Sequence, residues 1–127
     1  MRDRTVLIVD DSQITVRKLA QLLEDLGYKV VGFAQTGMVA LERYRELHPD
    51  LVTMDITLPD MSGIDVVRQI LAENPNALIV MITSHGQEQM VIDSIEAGAK
   101  GYVMKPVKPE ILKETIEKVF ATYRSAS

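Results

Sequence analysis

Residues suited to metal and phosphate chemistry stand at the ends of four short apolar runs. Asp10 and Asp11 follow Thr5–Val9, Asp55 follows Leu51–Met54, Thr83 and Ser84 end Ala77–Thr83, and Lys105 ends Gly101–Lys105. Each has an ordinary explanation when taken alone. Asp10-Asp11-Ser12 could cap a helix, and Asp55 could open the turn Pro59-Asp60-Met61-Ser62-Gly63. Thr83 and Ser84 could cap another helix, and Lys105 could be a solvated strand end. Four independent local roles do not explain why acids, a hydroxyl and a cation share one position in the pattern. If the apolar runs are parallel strands of one sheet, these residues meet at a single rim.

Three carboxylates gathered there repel one another unless a cation intervenes. A hard divalent ion with oxygen ligands is the natural partner, and Mg²⁺ suits it because it takes one or two carboxylates and keeps several waters. Positions left open on the metal suit a phosphoryl oxygen. A hydroxyl such as Thr83 and an ammonium such as Lys105 then supply a donor and a positive charge to the remaining oxygens. One carboxylate is left as the nucleophile, and Asp55, alone on its strand, is best placed. The chemistry this set fits is formation of an aspartyl-phosphate.

The elements that must position these groups are legible as an alternation. The apolar runs Thr5–Val9, Lys29–Ala34, Leu51–Met54, Ala77–Thr83 and Gly101–Lys105 are rich in Val and Ile with little alternation, as in parallel strands covered on both faces. Helical faces lie between them: Val16, Leu19, Leu22, Leu23 and Leu26, stopped by Gly27; Leu41, Tyr44 and Leu47, entered through Thr36 and left at His48-Pro49; Ile64, Val67, Ile70 and Leu71; Val91, Ile92 and Ile95, stopped by Gly98; and Leu112, Ile116, Val119, Phe120 and Tyr123, begun near Pro109. Five strands each followed by a helix predict an α/β doubly wound parallel sheet, a (βα)5 flavodoxin-like three-layer sandwich, with its site beyond the strand C-termini.

Bulk properties agree. The 127 residues suit one domain, read as 1–127 with a core of about 5–123. A net charge of −4 lacks the basic footprint of nucleic-acid binding. The absence of cysteine excludes thiolate metal sites and thiol nucleophiles. No signal peptide or membrane-spanning run is evident, so the expectation is a cytoplasmic protein without membrane or nucleic-acid contacts.

The segments LIVDDS, LVTMDITLPDMSG, VMITS and GYVMKP, in this order, resemble the signatures of the response-regulator receiver domain of two-component signalling. AQTGMVAL, GIDVV and MVIDSIEAGAKGYVMKP resemble its single-domain, CheY-like, chemotaxis branch. The resemblance implies that Asp55 accepts phosphate from a sensor histidine kinase. It implies that Asp11 and Asp55 hold Mg²⁺ with the Thr57 carbonyl, while Asp10 acts largely through water. It further implies that Thr83 moves toward the phosphoryl group, that Lys105 pairs with it, and that Tyr102 is the switch aromatic. The Lys105-Pro106 bond would be cis, and a downstream protein target would read the surface of the fourth helix, fifth strand and fifth helix. Thr57 and His85, two residues beyond Asp55 and Thr83, are candidates for control of phosphate lifetime; an ordinary loop role for His85 competes. His48 reads as a helix-end residue. Val107 stands where chemotaxis members commonly carry an aromatic.

Such a domain catalyses only its own phosphorylation and dephosphorylation. With only the polar tail RSAS after the fifth helix, it would act by reversible association, as a monomer or a phosphorylation-dependent dimer. The main rival is an aspartate-nucleophile phosphatase of the haloacid-dehalogenase type, whose motif Asp55-Ile56-Thr57 faintly resembles, but that motif belongs on a first strand and such an enzyme needs a cap. A flavodoxin-like FMN carrier would need a hydroxyl- and glycine-rich loop where Asp10-Asp11-Ser12 stands. A receiver that never takes phosphate would not need the full acid, hydroxyl and lysine set.

Overall fold

The computed structural model describes residues 3–123; the polar tail 124–127 lies outside them. Strands and helices alternate as β1 (Thr5–Val9), α1 (Gln13–Asp25), β2 (Lys29–Ala34), α2 (Gly37–Leu47), β3 (Leu51–Met54), α3 (Gly63–Glu73), β4 (Ile79–Thr83), α4 (Glu88–Ala97), β5 (Gly101–Met104) and α5 (Pro109–Tyr123). All strand pairs are parallel, in the order β2-β1-β3-β4-β5. The chain winds outward from β1 to β2, then returns to β3 on the other side of β1. The topological switch point therefore lies between β1 and β3, where such sheets open a crevice at their carboxyl ends.

Alternate strand residues feed two cores. Leu7, Val9, Val52, Met54, Ile79 and Met81 pack with α2 and α3 on one face. Val6, Ile8, Leu51, Val80 and Ile82 pack with α1 and α5 on the other. Burial on both faces explains why these strands show no polar alternation.

Local signals act where the sequence places them. Ser12, Thr36 and Ser62 each cap a helix through the side-chain oxygen. Gly27 and Gly98 follow their helices at φ +96° and +111°, a region costly for other residues. Pro109 occupies the first turn of α5, where its missing N–H costs nothing. His48 is the C-cap of α2 at φ 44°, exposed and donating its N–H to the Tyr44 carbonyl.

The structure corrects several readings. Ala77 is not part of β4: its N–H closes a turn onto the Asn74 carbonyl. Lys105 lies just past β5. Thr83 and Ser84 do not cap α4, whose N-cap is Gln87 without a side-chain bond. The expected apolar face of α4 is largely outward. Ile92 and Ile95 are 39% and 59% exposed, and the buried residue of α4 is Ser94, whose hydroxyl donates to the Met90 carbonyl. Helical spacing grouped the right residue types but not the side that faces the protein.

One interior group stands out. Thr53, on β3 and 1% exposed, has a hydroxyl with no hydrogen-bond partner among the described residues. A buried unpaired hydroxyl costs free energy that an isosteric methyl does not. Thr53→Val is expected to raise the unfolding free energy by about 1 kcal/mol in urea denaturation. A loss of stability would show that the hydroxyl is satisfied.

Candidate functional site

The rim at the strand ends is built by the sheet itself. The Asp10 N–H donates to the Ala34 carbonyl (2.9 Å), the Asp55 N–H to the Val9 carbonyl (3.0 Å) and the Lys105 N–H to the Thr83 carbonyl (2.9 Å). Each functional residue thus continues its ladder by one step, and its backbone position is set by register. The register places Val9 beside Met54, so Asp10 and Asp55, one residue on, stand side by side across the switch point.

The side chains complete the arrangement. The Lys105 ammonium donates to Asp10 Oδ2 at 2.7 Å and to Asp55 Oδ2 at 3.1 Å. Asp10 and Asp55 are 1% and 7% exposed, while Asp11 is exposed at the mouth. The other Asp10 oxygen accepts from the Ser12 N–H at 2.9 Å, so both its oxygens are engaged. Asp55 Oδ1 carries no hydrogen bond among the described residues. Burial alone would lower the Lys105 pKa; the hydrogen bond it donates to Asp10 and the charges of Asp55 and Asp10 override it and raise the pKa above the ordinary lysine value.

Carboxylate oxygens of Asp10, Asp11 and Asp55 lie within 4.8 Å of one another. Three acids against one ammonium leave excess negative charge in a largely buried place, and all the donors are hard oxygens. The set fits a small divalent cation.

Around this centre stands a second ring of contacts. The Thr57 hydroxyl and His85 Nε2 are hydrogen-bonded at 2.6 Å, joining the β3–α3 loop to the β4–α4 loop. Thr83 is fully buried, and its hydroxyl accepts from the His85 N–H at 3.3 Å. The Tyr102 hydroxyl donates to the His85 carbonyl. Burial, then the Asp55 charge, raises the Tyr102 pKa. The Lys105-Pro106 bond is cis. The side chain and both backbone groups of His85 are thus hydrogen-bonded. Ser84 is exposed, and Val107 is half-buried against the α1/α5 core.

Asp60, read from sequence only as part of a turn, also has a specific place. Its carboxylate accepts from the N–H groups of Gly37 (2.8 Å) and Met38 (3.0 Å) at the start of α2. Hydrogen bonds from Gly37 and Met38 hold its pKa below the usual carboxylate range. The available signal was an acid in a loop that must lie near a helix start on the neighbouring layer.

Residues 6–117 match the family model of the response regulator receiver domain. The chain belongs to that family. It is 45% identical over 116 residues to the chemotaxis protein CheY of Thermotoga maritima, covering 91% of this chain and 97% of that one. Among solved structures, a CheY-like receiver domain from Methanospirillum hungatei matches with TM-score 0.90 at 30% identity, covering 99% of this chain and 100% of that one. CheY in the CheX–CheY–BeF3–Mg²⁺ complex of Borrelia burgdorferi matches with TM-score 0.89 at 36% identity, covering 92% and 89%. Receiver domains are signalling switches rather than classical enzymes, and the phosphatase rival finds no support.

Removing Lys105 would leave Asp10 and Asp55 facing each other without their cation. Lys105→Met is expected to lower the unfolding free energy by about 2 kcal/mol at pH 7, less than for a fully buried pair because the lysine is partly exposed. A lysine whose folded pKa is raised stabilises fully below its unfolded pKa of about 10.4. That contribution is lost as pH rises through the higher folded value. The gap between wild type and variant should therefore close in alkaline urea titrations.

Proposed function

We propose that this receiver domain is switched by a phosphoryl group taken on Asp55 from the phosphohistidine of a sensor histidine kinase. The observation that carries this reading is the Lys105 ammonium held between Asp10 and Asp55, with the second Asp55 oxygen unbonded among the described residues. That oxygen attacks phosphorus, the O–P bond forms as the P–N bond breaks, and the imidazole leaves. Asp10, Asp11, Asp55 and the Thr57 carbonyl would hold Mg²⁺, which when bound neutralises charge on the phosphoryl oxygens. Lys105 pairs with one of those oxygens, and Thr83 donates its hydroxyl to another. Hydrolysis by water returns the carboxylate and releases inorganic phosphate.

Phosphorylation adds roughly −1.5 to −2 charges. When Thr83 turns to that charge it gives up the His85 N–H, and Tyr102 loses the fixed position of the carbonyl it bonds. Full switching requires a differential of about 5.5 kcal/mol, within reach of a few charge-assisted bonds at ~1.5–3 kcal/mol each. α4 is the element this reading moves: its start has no side-chain cap, its buried residue is Ser94, and Met90 and Ala97 are only partly buried against the core. Ile92, Ile95, Met104 and Ile111 are exposed on α4, β5 and α5. A downstream protein would read that face, much as CheX accompanies the Borrelia relative. Chemotaxis fits the CheY homology, and the cytoplasm fits such a pathway; no described helix is long and apolar enough to cross a membrane.

Incubation with Mg²⁺ and acetyl phosphate should add one phosphoryl group by intact mass to the wild type and none to Asp55→Ala. No gain on the wild type, or an equal gain on the variant, overturns the assignment. His85 and Thr57 are bonded to each other across the two loops that follow Asp55 and Thr83, so on this reading His85→Ala should admit water and shorten phosphate lifetime several-fold. The decay of the phosphorylated mass after removal of acetyl phosphate measures this.

A further inference from the structure

The β3–α3 loop, which follows Asp55 and carries Thr57, is closed at its base and anchored at its tip. At the base the Gly63 N–H donates to the Ile56 carbonyl at 2.7 Å, and a Cβ on Gly63 would collide with the Asp55 carbonyl oxygen. Above it, Thr57 and Ser62 form an antiparallel bridge, leaving Leu58, Pro59, Asp60 and Met61 as the tip. The tip reaches across to α2. Asp60 takes the first two N–H groups of that helix, while Thr36 takes the N–H of Val39. The start of α2 thus has two separate caps, one from its own segment and one from the loop beside the acid site. Gly37 leaves no room for a side chain beneath Met61, so the loop tip lies directly on the helix start.

We infer that Asp60 is a positioning residue for the metal site: its bonds to α2 hold the loop that sets the Thr57 backbone beside Asp55. This deepens the metal-dependent reading above and rests on it. The two caps separate the structural contribution from the positional one. Thr36→Ala removes a cap from α2 without touching the loop, whereas Asp60→Ala removes a cap and frees the loop tip.

The test is calorimetric titration of MgCl₂ into wild type, Asp60→Ala, Asp60→Asn and Thr36→Ala, with folding checked by circular dichroism. Loss of a group that orients metal ligands typically weakens binding at least tenfold, and about that loss is expected for Asp60→Ala. Asp60→Asn keeps one acceptor oxygen and should fall between, which preserves the test if the alanine variant folds poorly. Thr36→Ala should stay within about twofold of wild type if only the loop link matters. The Mg²⁺ concentration that gives half the maximal rate of the acetyl phosphate reaction should rise in the Asp60 variants by about the same factor as the titrated affinity falls. Wild-type affinity in both Asp60 variants, or an equal loss in Thr36→Ala, overturns the inference alone. A wild type that takes up no Mg²⁺ overturns the functional reading beneath it.

Discussion

The structure depends on a charge imbalance held at the switch point of the sheet. Asp10 and Asp55 are nearly inaccessible, Asp11 stands at their mouth, and Lys105 reaches both buried acids. A lone buried carboxylate would be strongly disfavoured, and two are tolerable here because one ammonium is shared between them. Even so, three acids and one lysine leave an uncompensated demand for positive charge. That demand suits the site to a cation, and in the proposed function the same shared lysine meets a phosphoryl oxygen. Strand register makes this possible, since Asp10, Asp55 and Lys105 each continue a ladder bond and cannot drift away from their neighbours.

His85 connects this rigid rim to the more compliant side of the molecule. Its imidazole binds Thr57 on the β3–α3 loop, its N–H binds Thr83, and its carbonyl accepts from Tyr102. A change at the acid site that recruits Thr83 must alter a residue to which Tyr102 is bonded. Beyond it lies α4, with an uncapped start and a serine as its buried residue.

Much of this was legible in the sequence, for identifiable reasons. Uninterrupted Val and Ile runs marked strands covered on both faces, and Thr36, Gly27, Gly98 and Pro109 marked helix ends through local backbone chemistry. The rim followed because strand ends of a parallel sheet necessarily share an edge. The inward side of α4 was not legible: Ser94 satisfies its hydroxyl on its own helix and can be buried in place of an isoleucine. Ala77 was read into β4 because an apolar residue beside a strand carries no mark of the turn bond it makes. The pairing of Thr57 with His85, and of Asp60 with α2, depends on how two loops approach in space. Each residue was visible, but its partner lay 28 positions away in one case and 22 to 23 in the other.

The division between rim and face has a physical logic. A group-transfer site must keep its acids, hydroxyl and cation in place before the phosphoryl group arrives, since reorganising them at that moment would oppose the reaction. Under the proposed function, the surface read by a partner must instead change with the charge at Asp55, which requires an element whose displacement costs little. Here the first need is met by ladder bonds, by the close approach of Gly63 to Asp55 and by the Asp60 tie to α2. The second is met by leaving Ile92 and Ile95 outside the core. Exposed isoleucines weaken the hold of the domain on α4, and they also supply apolar surface that a partner can cover. One arrangement of residues therefore loosens the helix and makes it recognisable.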